Sequence, residues 1–459
     1  MKPNTMSKNI NISIVFFLCS IFVLLFAAGE HFNAPVHISF LMIILQSIFF
    51  MTVMHSPIVK VYFVFSYLFF GCIPYLEHSN EIYAYWGLPG VPSDLLFVIN
   101  IFILLLNLTV VVAYRLSGRL PFRSLQRFYS SDDVVSFMNK GSSKIKYKDK
   151  YILLVALAFA STFLVLYINN FNLINLFYRD AVFDRISVGG PLSLIINYLI
   201  KPIPAIVLIY YLSYKPVDYK YKSIVFFVLC LINVFPTGVP RFYAAAIYIP
   251  ILILFFNGLL VKGRLSYLII LSIFFVFPAL NSFRRVATAE EFSFFKGFNF
   301  LYHGHFDSYL SIGQVIQHDF ISYGRQLLGS IFFFVPRGFW PGKPTGTGHT
   351  LLTNINALFT NISANYYAEG YANFGYLGMF LFALVMGLVL RRLDEKFIVK
   401  LTTGKGSDET VPIYLVSLGF LFFIMRGDLL SSLSFFIGFF LCAKLCSIFF
   451  SRVPVKKLA

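Results

Sequence analysis

The chain has 459 residues, of which 58% are hydrophobic and only 12% are charged, and its mean hydropathy is +0.77. A soluble fold cannot bury so much apolar surface, so the composition excludes a water-soluble globular protein. The apolar segments are continuous runs of about 20 residues rather than alternating stretches of about 10, which favours membrane-spanning helices over strands. The predicted fold class is therefore an all-α, polytopic integral membrane protein.

Hydropathy predicts about twelve transmembrane helices. Their predicted bounds are Ile10–Gly29, His37–Ser56, Val59–Leu76, Leu95–Leu116, Tyr151–Ile168, Leu192–Tyr214, Ser223–Pro236, Phe242–Leu260, Ser266–Leu280, Tyr371–Leu390, Val411–Met425 and Leu429–Phe450. Three regions follow: residues 1–280 with nine helices and a basic loop at 117–150, residues 281–370 as one long loop, and residues 371–459 with three helices and a tail.

The net charge of +17 is mainly a signal of orientation. Lys2 and Lys8 precede the first span, and the loop at 117–150 holds eight more basic residues. Because Lys and Arg are retained on the cytoplasmic side, both termini are predicted to be cytoplasmic and the 281–370 loop periplasmic. The charge gives no reason to infer a nucleic-acid partner.

The long loop is too rich in aromatic and aliphatic residues for a disordered segment. We predict a helix over Phe298–Gln317 and a second, very apolar helix over Tyr323–Phe334 that lies in the interface or plugs into the bundle. Pro336 should end the second helix, and the run "WPGKPTGTG" should form a turn-rich connector. Long loops of this kind in compact proteins are usually functional, so the loop is the candidate active-site region.

The basic residues on the predicted outer side are mainly arginine, whereas those on the cytoplasmic side are mainly lysine. A guanidinium presents a planar fork that suits phosphate or diphosphate, so the outer mouth is predicted to bind an anion. The alternative is that these residues reach lipid headgroups or pair with nearby acids. The outer arginines are Arg179, Arg185, Arg241, Arg284, Arg285, Arg325, Arg337 and Arg426.

Proton acceptors are available in the same region. Glu369, in "YYAEGYANFGYLG", is predicted to lie where the tenth span enters the membrane, and a carboxylate there needs a partner. Asp307 is a second candidate base, or alternatively a helix cap. His303, His305, His318 and His349 also fall in the long loop.

At these residues the chain resembles the Wzy-type O-antigen polymerases, or oligosaccharide repeat-unit polymerases. The resemblance is carried by "FDSYLSIGQVI", "YGRQLLGSIFFFVPRGFWPGKPTGTG", "YYAEGYANFGYLG" and "MRGDLLSSL", which together cover about Phe306–Gly378 and the last outer turn. It implies a bacterial inner-membrane glycosyltransferase with a GT-C-like fold, similar to O-antigen ligases. Such enzymes transfer a growing glycan from undecaprenyl diphosphate onto an incoming undecaprenyl-diphosphate-linked repeat unit at the periplasmic face.

The resemblance also implies roles for residues. Arg325, Arg337 and Lys343 would contact diphosphate or sugar, with Trp340 held against the lipid-linked sugar by the neighbouring prolines. Arg426 and Asp428 would close the opposite wall, Glu369 would be the base and His349 its rival. Arg241 and Arg284 are added from predicted topology.

The implied partners are the lipid-linked donor and acceptor, membrane lipid and, as an open question, a chain-length regulator. The predicted outer loops hold no D-x-D motif and no clustered His and carboxylate ligands, so we predict a metal-independent enzyme without a cofactor. An O-antigen ligase and a lipid-linked oligosaccharide flippase are the alternatives. Lys201 in "IKPIPAIV" marks a predicted broken helix, which is typical of transporters.

Overall fold

The computed structural model describes residues 33–81, 90–131, 133–140, 145–177, 186, 190–216, 218–273 and 306–454. Its helices are α1 (Ala34–Val53), α2 (Pro57–Ser79), α3 (Ser93–Leu116), α4 (Phe122–Ser130), α5 (Asp133–Lys140), α6 (Tyr151–Ile168), α7 (Ile174–Phe177), α8 (Leu192–Tyr214), α9 (Tyr219–Asn233), α10 (Arg241–Phe255), a 3₁₀ turn (Asn257–Leu260), α11 (Arg264–Leu271), α12 (Ser308–Gln317), α13 (Arg325–Ile331), α14 (Thr347–Asn354), α15 (Tyr366–Thr403), α16 (Thr410–Arg426) and α17 (Leu429–Ser447). Two short strands are β1 (Ile145–Asp149) and β2 (Phe450–Pro454).

The helical fold class and the membrane-embedded architecture are confirmed. Within the described ranges, seven helices are long and apolar enough to cross a membrane: α1, α2, α3, α6, α8, α15 and α17. Helices α10 and α16 are shorter apolar helices at predicted spans, and α9 is a 15-residue helix at the seventh. The first predicted span and residues 274–305 lie outside the described residues.

Helix starts follow local chemistry where loops enter the bundle. Helix α2 begins with Pro57, whose missing N–H costs nothing at a first turn, and the Ser56 hydroxyl accepts from the Val59 amide at 3.4 Å. The helix then passes through a π-helical segment, Ser66–Cys72, just before Pro74. It extends to Ser79, so it includes Glu77, which the predicted span left out.

Helix α8 contains the break that the sequence predicted at Lys201. Its π-helical segment Ile195–Ile200 ends where the Lys201 amide donates to the Ile196 carbonyl at 2.8 Å. Regular helix resumes at Ile203, after Pro202. The Lys201 carbonyl accepts from the Asn233 side chain on α9 at 3.2 Å, so the break is bonded to a neighbouring helix.

Helix α15 is a hairpin rather than one straight helix. Its backbone leaves helical geometry at Phe374 and at Gly375, whose φ of +63° suits glycine. The Tyr366 hydroxyl donates to the Phe382 carbonyl at 3.1 Å, and a Cβ on Gly370 would lie 2.8 Å from the Gly378 oxygen. The segment before Phe374 therefore packs back against the segment after Gly375, and the reversal falls inside the predicted span Tyr371–Leu390.

A ribbon joins two distant parts of the chain at one end of the bundle. Strand β1, from the basic 117–150 loop, pairs antiparallel with β2, which follows the last span. The Lys222 ammonium at the start of α9 bonds Asp149 at 3.0 Å. The loop and the last strand therefore lie at the same end, as the predicted topology requires.

Asp394 forms a buried polar centre that the sequence did not indicate. Its side chain is fully buried in α15. It accepts from Tyr129 at 2.7 Å and Tyr414 at 2.8 Å, and from Ser56 and Tyr114 at 2.5 Å each. These donors come from α4, α16, the start of α2 and α3. One carboxylate therefore holds five parts of the chain together.

Asp394→Asn should destabilise the protein strongly. The asparagine amide has one acceptor oxygen, whereas the Asp394 carboxylate has two, which together accept from four hydroxyls. We expect a loss of about 2 kcal/mol or more in the free energy of unfolding, since each unsatisfied buried group costs roughly 1–3 kcal/mol. Thermal unfolding of the purified protein in detergent measures the loss. Asp133→Asn, at an exposed residue of α5, is the control, and equal losses in both variants would contradict the assigned role.

Candidate functional site

Four segments meet at the end of the bundle opposite the ribbon: the residue before α12, the start of α14, the first half of α15, and the turn between α16 and α17. Their acidic residues are Asp307, Glu369 and Asp428, which with Arg426 we call the carboxylate cluster. All four were predicted site residues. Asp307, Glu369 and the neighbouring Arg426 and Asp428 fall on three separate stretches of the sequence. The structure brings all four together.

Glu369 lies in the short first half of α15, with its side chain only 1% exposed. One carboxylate oxygen accepts from the Thr347 hydroxyl at 2.7 Å, and the other accepts from the Leu429 amide at 2.9 Å. These two donors belong to the first residues of α14 and of α17. Glu369 therefore has the partners that the sequence required of it, but it is buried among them rather than at the membrane entry of a span.

Asp428 joins the turn before α17 to the loop around α14. Its Oδ1 accepts from the Ala364 amide at 2.7 Å and from the Gly348 amide at 3.3 Å. A Cβ on Gly346 would lie 2.3 Å from Asp428 Oδ2, so a larger residue at 346 would displace this carboxylate. Burial raises the pKa of Asp428 to about 6, with a contribution from the Asp307 charge, while the two amides oppose the rise.

Asp307 pairs with Arg426 rather than capping α12. The distance between the carboxylate and the guanidinium is 3.1 Å, and the Asp307 side chain is 5% exposed whereas that of Arg426 is 31% exposed. The Asp307 side chain makes no cap hydrogen bond, so the capping interpretation was wrong. Burial raises the pKa of Asp307, and the ion pair with Arg426 opposes that rise.

Arg241 lies at the same end of the bundle as Arg426. Helix α10 begins at Arg241 and packs along α16, which ends at Arg426. The rings of Phe242 and Phe423 stack with centroids 3.4 Å apart, which fixes the register of the two helices. Two of the predicted anion-binding arginines therefore come from one helix pair, at the mouth beside the carboxylate cluster.

The cations of the long loop have partners of another kind. Arg325 donates to the Gly342 carbonyl at 2.8 Å, and Arg337 donates to the Lys343 carbonyl at 2.6 Å. Lys343 donates to the Phe333 and Val335 carbonyls at 2.5 and 3.0 Å. Burial and the nearby Arg337 charge lower the pKa of the Lys343 ammonium. These three predicted ligand contacts thus bond to the backbone of their own loop.

The loop helices differ partly from their prediction. Helix α12 ends at Gln317 as expected, but the second helix is only Arg325–Ile331, so Pro336 does not end it. Helix α14 was not predicted, because Gly and Thr in "TGTGHT" are weak helix formers. Trp340 is partly buried in a turn, where its amide donates to the Pro336 carbonyl at 3.2 Å.

The histidines divide between the edge of the site and positions away from it. His349 is exposed on α14, its Nδ1 is 3.3 Å from the Thr360 carbonyl, and its charge interacts with Asp428. His318 follows the end of α12 and is exposed. The remaining predicted candidates, Arg179, Arg185, Arg284, Arg285, His303 and His305, lie outside the described residues.

Sequence reasoning missed three residues of this region. Thr347 donates to Glu369, and Asn365 holds α15 to α12 by donating to the Ser308 carbonyl at 2.7 Å. Glu77, on α2, is 3% exposed, its Oε1 has no hydrogen-bond partner, and it repels Asp307. An acidic residue just beyond a predicted span was the available signal for Glu77.

Among the described residues, no three His, Cys, Asp or Glu side chains form a group that could hold a metal ion. No family model, curated protein or solved structure matches the chain. The geometry of the carboxylate cluster and the resemblance of the quoted motifs therefore carry the functional interpretation. The arrangement offers one partly exposed guanidinium next to carboxylates, which is chemistry for binding an anion and accepting a proton.

Raised pKa values make stability depend on pH with a definite sign. The folded state holds the Asp428 proton more tightly than the unfolded chain, so its stabilising effect is present below pH 3.8 and is lost as pH rises through about 6. Asp428→Asn retains an acceptor for both amides but has no charge. Between pH 3.8 and about 6, we therefore expect the free energy of unfolding of Asp428→Asn to rise relative to that of wild type. The expected rise is about 1.4 kcal/mol per unit of pKa shift.

Thermal unfolding of both proteins across this pH range measures the effect. The exposed Asp133 on α5 offers a control, since Asp133→Asn should follow the wild-type curve. An Asp428→Asn curve parallel to that of wild type would show that Asp428 ionises normally in the folded protein.

Proposed function

We propose that the chain is a glycosyltransferase of the O-antigen polymerase kind, acting at the carboxylate cluster on two lipid-diphosphate-linked oligosaccharides. The observation that carries the proposal is the convergence of Asp307, Glu369, Arg426 and Asp428 at one end of a membrane bundle. These residues lie on the stretches that resemble the polymerases. The reaction would take place at the periplasmic face of a bacterial inner membrane.

In the proposed reaction, a hydroxyl oxygen of the acceptor sugar attacks C1 of the donor sugar. The new C–O bond forms as the bond from C1 to the phosphate oxygen breaks, and undecaprenyl diphosphate leaves with the electron pair. The proton of the attacking hydroxyl passes to a carboxylate. The donor needs no nucleotide, because the diphosphate is itself the leaving group.

Arg426 is our choice for the leaving diphosphate, because a partly exposed guanidinium at the mouth can form charge-assisted hydrogen bonds with it. Its ion pair with Asp307 orients the guanidinium fork. Arg241, at the start of the adjacent helix, would add a second positive charge on the same side.

Asp428 is our choice for the proton acceptor. Its pKa of about 6 is close to the pH at which the protein would work, which is the condition for effective general-base catalysis. Asp428 is partly exposed, whereas Glu369 is buried and both of its carboxylate oxygens accept from donors. Glu369 would then position the start of α17, and with it Asp428, while His349 remains the alternative acceptor at the edge.

A flippase is the second candidate, and specific observations favour it. Transporters place broken helices and ionisable residues inside the bundle. Here α8 is broken at Lys201, α15 reverses at Phe374, and Glu77 is buried in α2. A ligase would use the same donor and a similar site.

Gel analysis of surface polysaccharide distinguishes these functions. Cells lacking the chromosomal copy would carry wild type, Arg426→Lys, Asp428→Asn or the control Arg392→Lys, an exposed residue in the second half of α15, at matched membrane levels. We expect a ladder for wild type and control, and a loss of roughly 100-fold or more in chain extension for the two site variants. Lipid A core bearing a single repeat unit should then accumulate.

The contrary outcomes are equally clear. If loss of the protein removes even the single repeat unit, the step is ligation or translocation rather than polymerisation. If Arg426→Lys and Asp428→Asn both give normal ladders, the carboxylate cluster is not the active site.

Metal independence has its own test with the purified protein and lipid-linked oligosaccharide. Because the leaving diphosphate would be stabilised by guanidinium groups rather than a divalent ion, a chelator should change the rate by less than about twofold. Activity that EDTA abolishes and added Mg²⁺ restores would overturn this part of the proposal.

A further inference from the structure

The segment between α13 and α14 exposes a group of large apolar side chains. We call residues 331–340 the aromatic finger. Phe339 is 88% exposed and Phe334 58% exposed, and Ile331 and Phe332 are also exposed. Exposed apolar patches of this kind mark a surface that another apolar medium covers.

Several backbone groups of the finger bond within the protein although most of the finger is not helical. Lys343 donates to the Phe333 and Val335 carbonyls. The amides of Phe339 and Trp340 both donate to the Pro336 carbonyl, at 3.1 and 3.2 Å. Since non-helical backbone is tolerated at membrane depth only where its polar groups have partners in the protein, these bonds reduce the cost of contact with lipid.

The finger lies beside a membrane-spanning helix. Helix α13, which leads into it, packs along α17. The far end of the finger is held by Pro344, because Gly329 on α13 packs so closely that a Cβ there would lie 2.4 Å from the proline ring. The finger is therefore fixed at the level of a span that itself faces lipid on its outer side.

We propose that the aromatic finger is inserted in the lipid of the leaflet at this end of the bundle. Three observations favour lipid over a protein partner: contact of α13 with a spanning helix, the Trp and Phe content typical of membrane interfaces, and the exposed cations Arg325 and Arg337 at the rim, which suit anionic headgroups. The inference is independent of the proposed reaction. It assigns Lys343 a role in satisfying the finger backbone in lipid.

Quenching of tryptophan fluorescence tests the insertion. The chain has two tryptophans, so Phe339→Trp with Trp86→Phe and Trp340→Phe gives one reporter on the most exposed side chain of the finger. The protein would be placed in nanodiscs of phosphatidylcholine and phosphatidylglycerol, with or without bromine on the acyl chains, and titrated separately with iodide. Leu384→Trp, on the lipid-facing side of α15, is the lipid control, and Ser130→Trp, on α4, is the aqueous control.

We expect brominated lipid to quench the finger reporter by at least about half as much as the Leu384→Trp control, with little quenching by iodide. Strong quenching by iodide and none by brominated lipid would place the finger in water and overturn the proposal. Protection from both quenchers would mean that protein, such as a second copy of the chain, covers the finger, and would also overturn it.

A second variant separates insertion from a general effect on folding. Lys343→Met leaves the Phe333 and Val335 carbonyls without their donor, so the reporter should shift from quenching by lipid towards quenching by iodide. Lys405→Met, an exposed lysine between α15 and α16, should leave both signals unchanged. Unchanged quenching in Lys343→Met would show that the finger enters lipid without the Lys343 ammonium, which contradicts the role proposed for it.

Discussion

The reversal of α15 at Phe374 and Gly375 is the constraint on which the rest of the site depends. In a continuous helix, Tyr366 and Phe382 would be about 24 Å apart at 1.5 Å per residue, yet they share a hydrogen bond. The close approach of Gly370 and Gly378 permits that packing. Because the first half of α15 folds back, Glu369 reaches the start of α17.

The same reversal organises the surrounding loops. The Asn373 side chain accepts from the Leu327 amide at 2.8 Å, and the Asn373 carbonyl accepts from the Gly324 amide at 3.0 Å, which attaches α13 to the bend. On the other side, the Tyr367 hydroxyl lies 2.5 Å from that of Tyr62 in α2. The non-helical backbone at the bend therefore has protein partners, as a membrane environment requires.

Carboxylates connect distant parts of the chain at both ends of the bundle. Asp394 takes four hydroxyl donors and is fully enclosed, so it can serve only the fold. Asp307, by contrast, is paired with a guanidinium that is partly exposed. Buried acids thus occur at both ends of the bundle, but Asp394 is enclosed whereas Asp307 is paired with a partly exposed guanidinium.

The sequence predicted several of the membrane-length helices and only part of the geometry around the carboxylate cluster, for physical reasons. Hydropathy located Tyr151–Ile168 to the residue, because lipid contact demands a continuous apolar run. It could not show the reversal of α15, because Gly375 leads directly into the apolar run of the predicted span and hydropathy does not report the direction of the backbone. It also could not show that Lys343 would bond to its own loop, because residue type gives the charge of a side chain and not its partner.

The cations of the long loop and Arg426 differ in the partners that hold them. In the loop, the side chains of Arg325, Arg337 and Lys343 donate hydrogen bonds to backbone carbonyl groups. Arg426 instead faces a carboxylate, which sets its orientation without covering it. The loop cations are thus fixed to their own backbone, whereas the Arg426 guanidinium is fixed to another segment of the chain. The proposed reaction assigns the leaving group to Arg426 because that guanidinium lies among the candidate bases, although the loop carries the more specific motif.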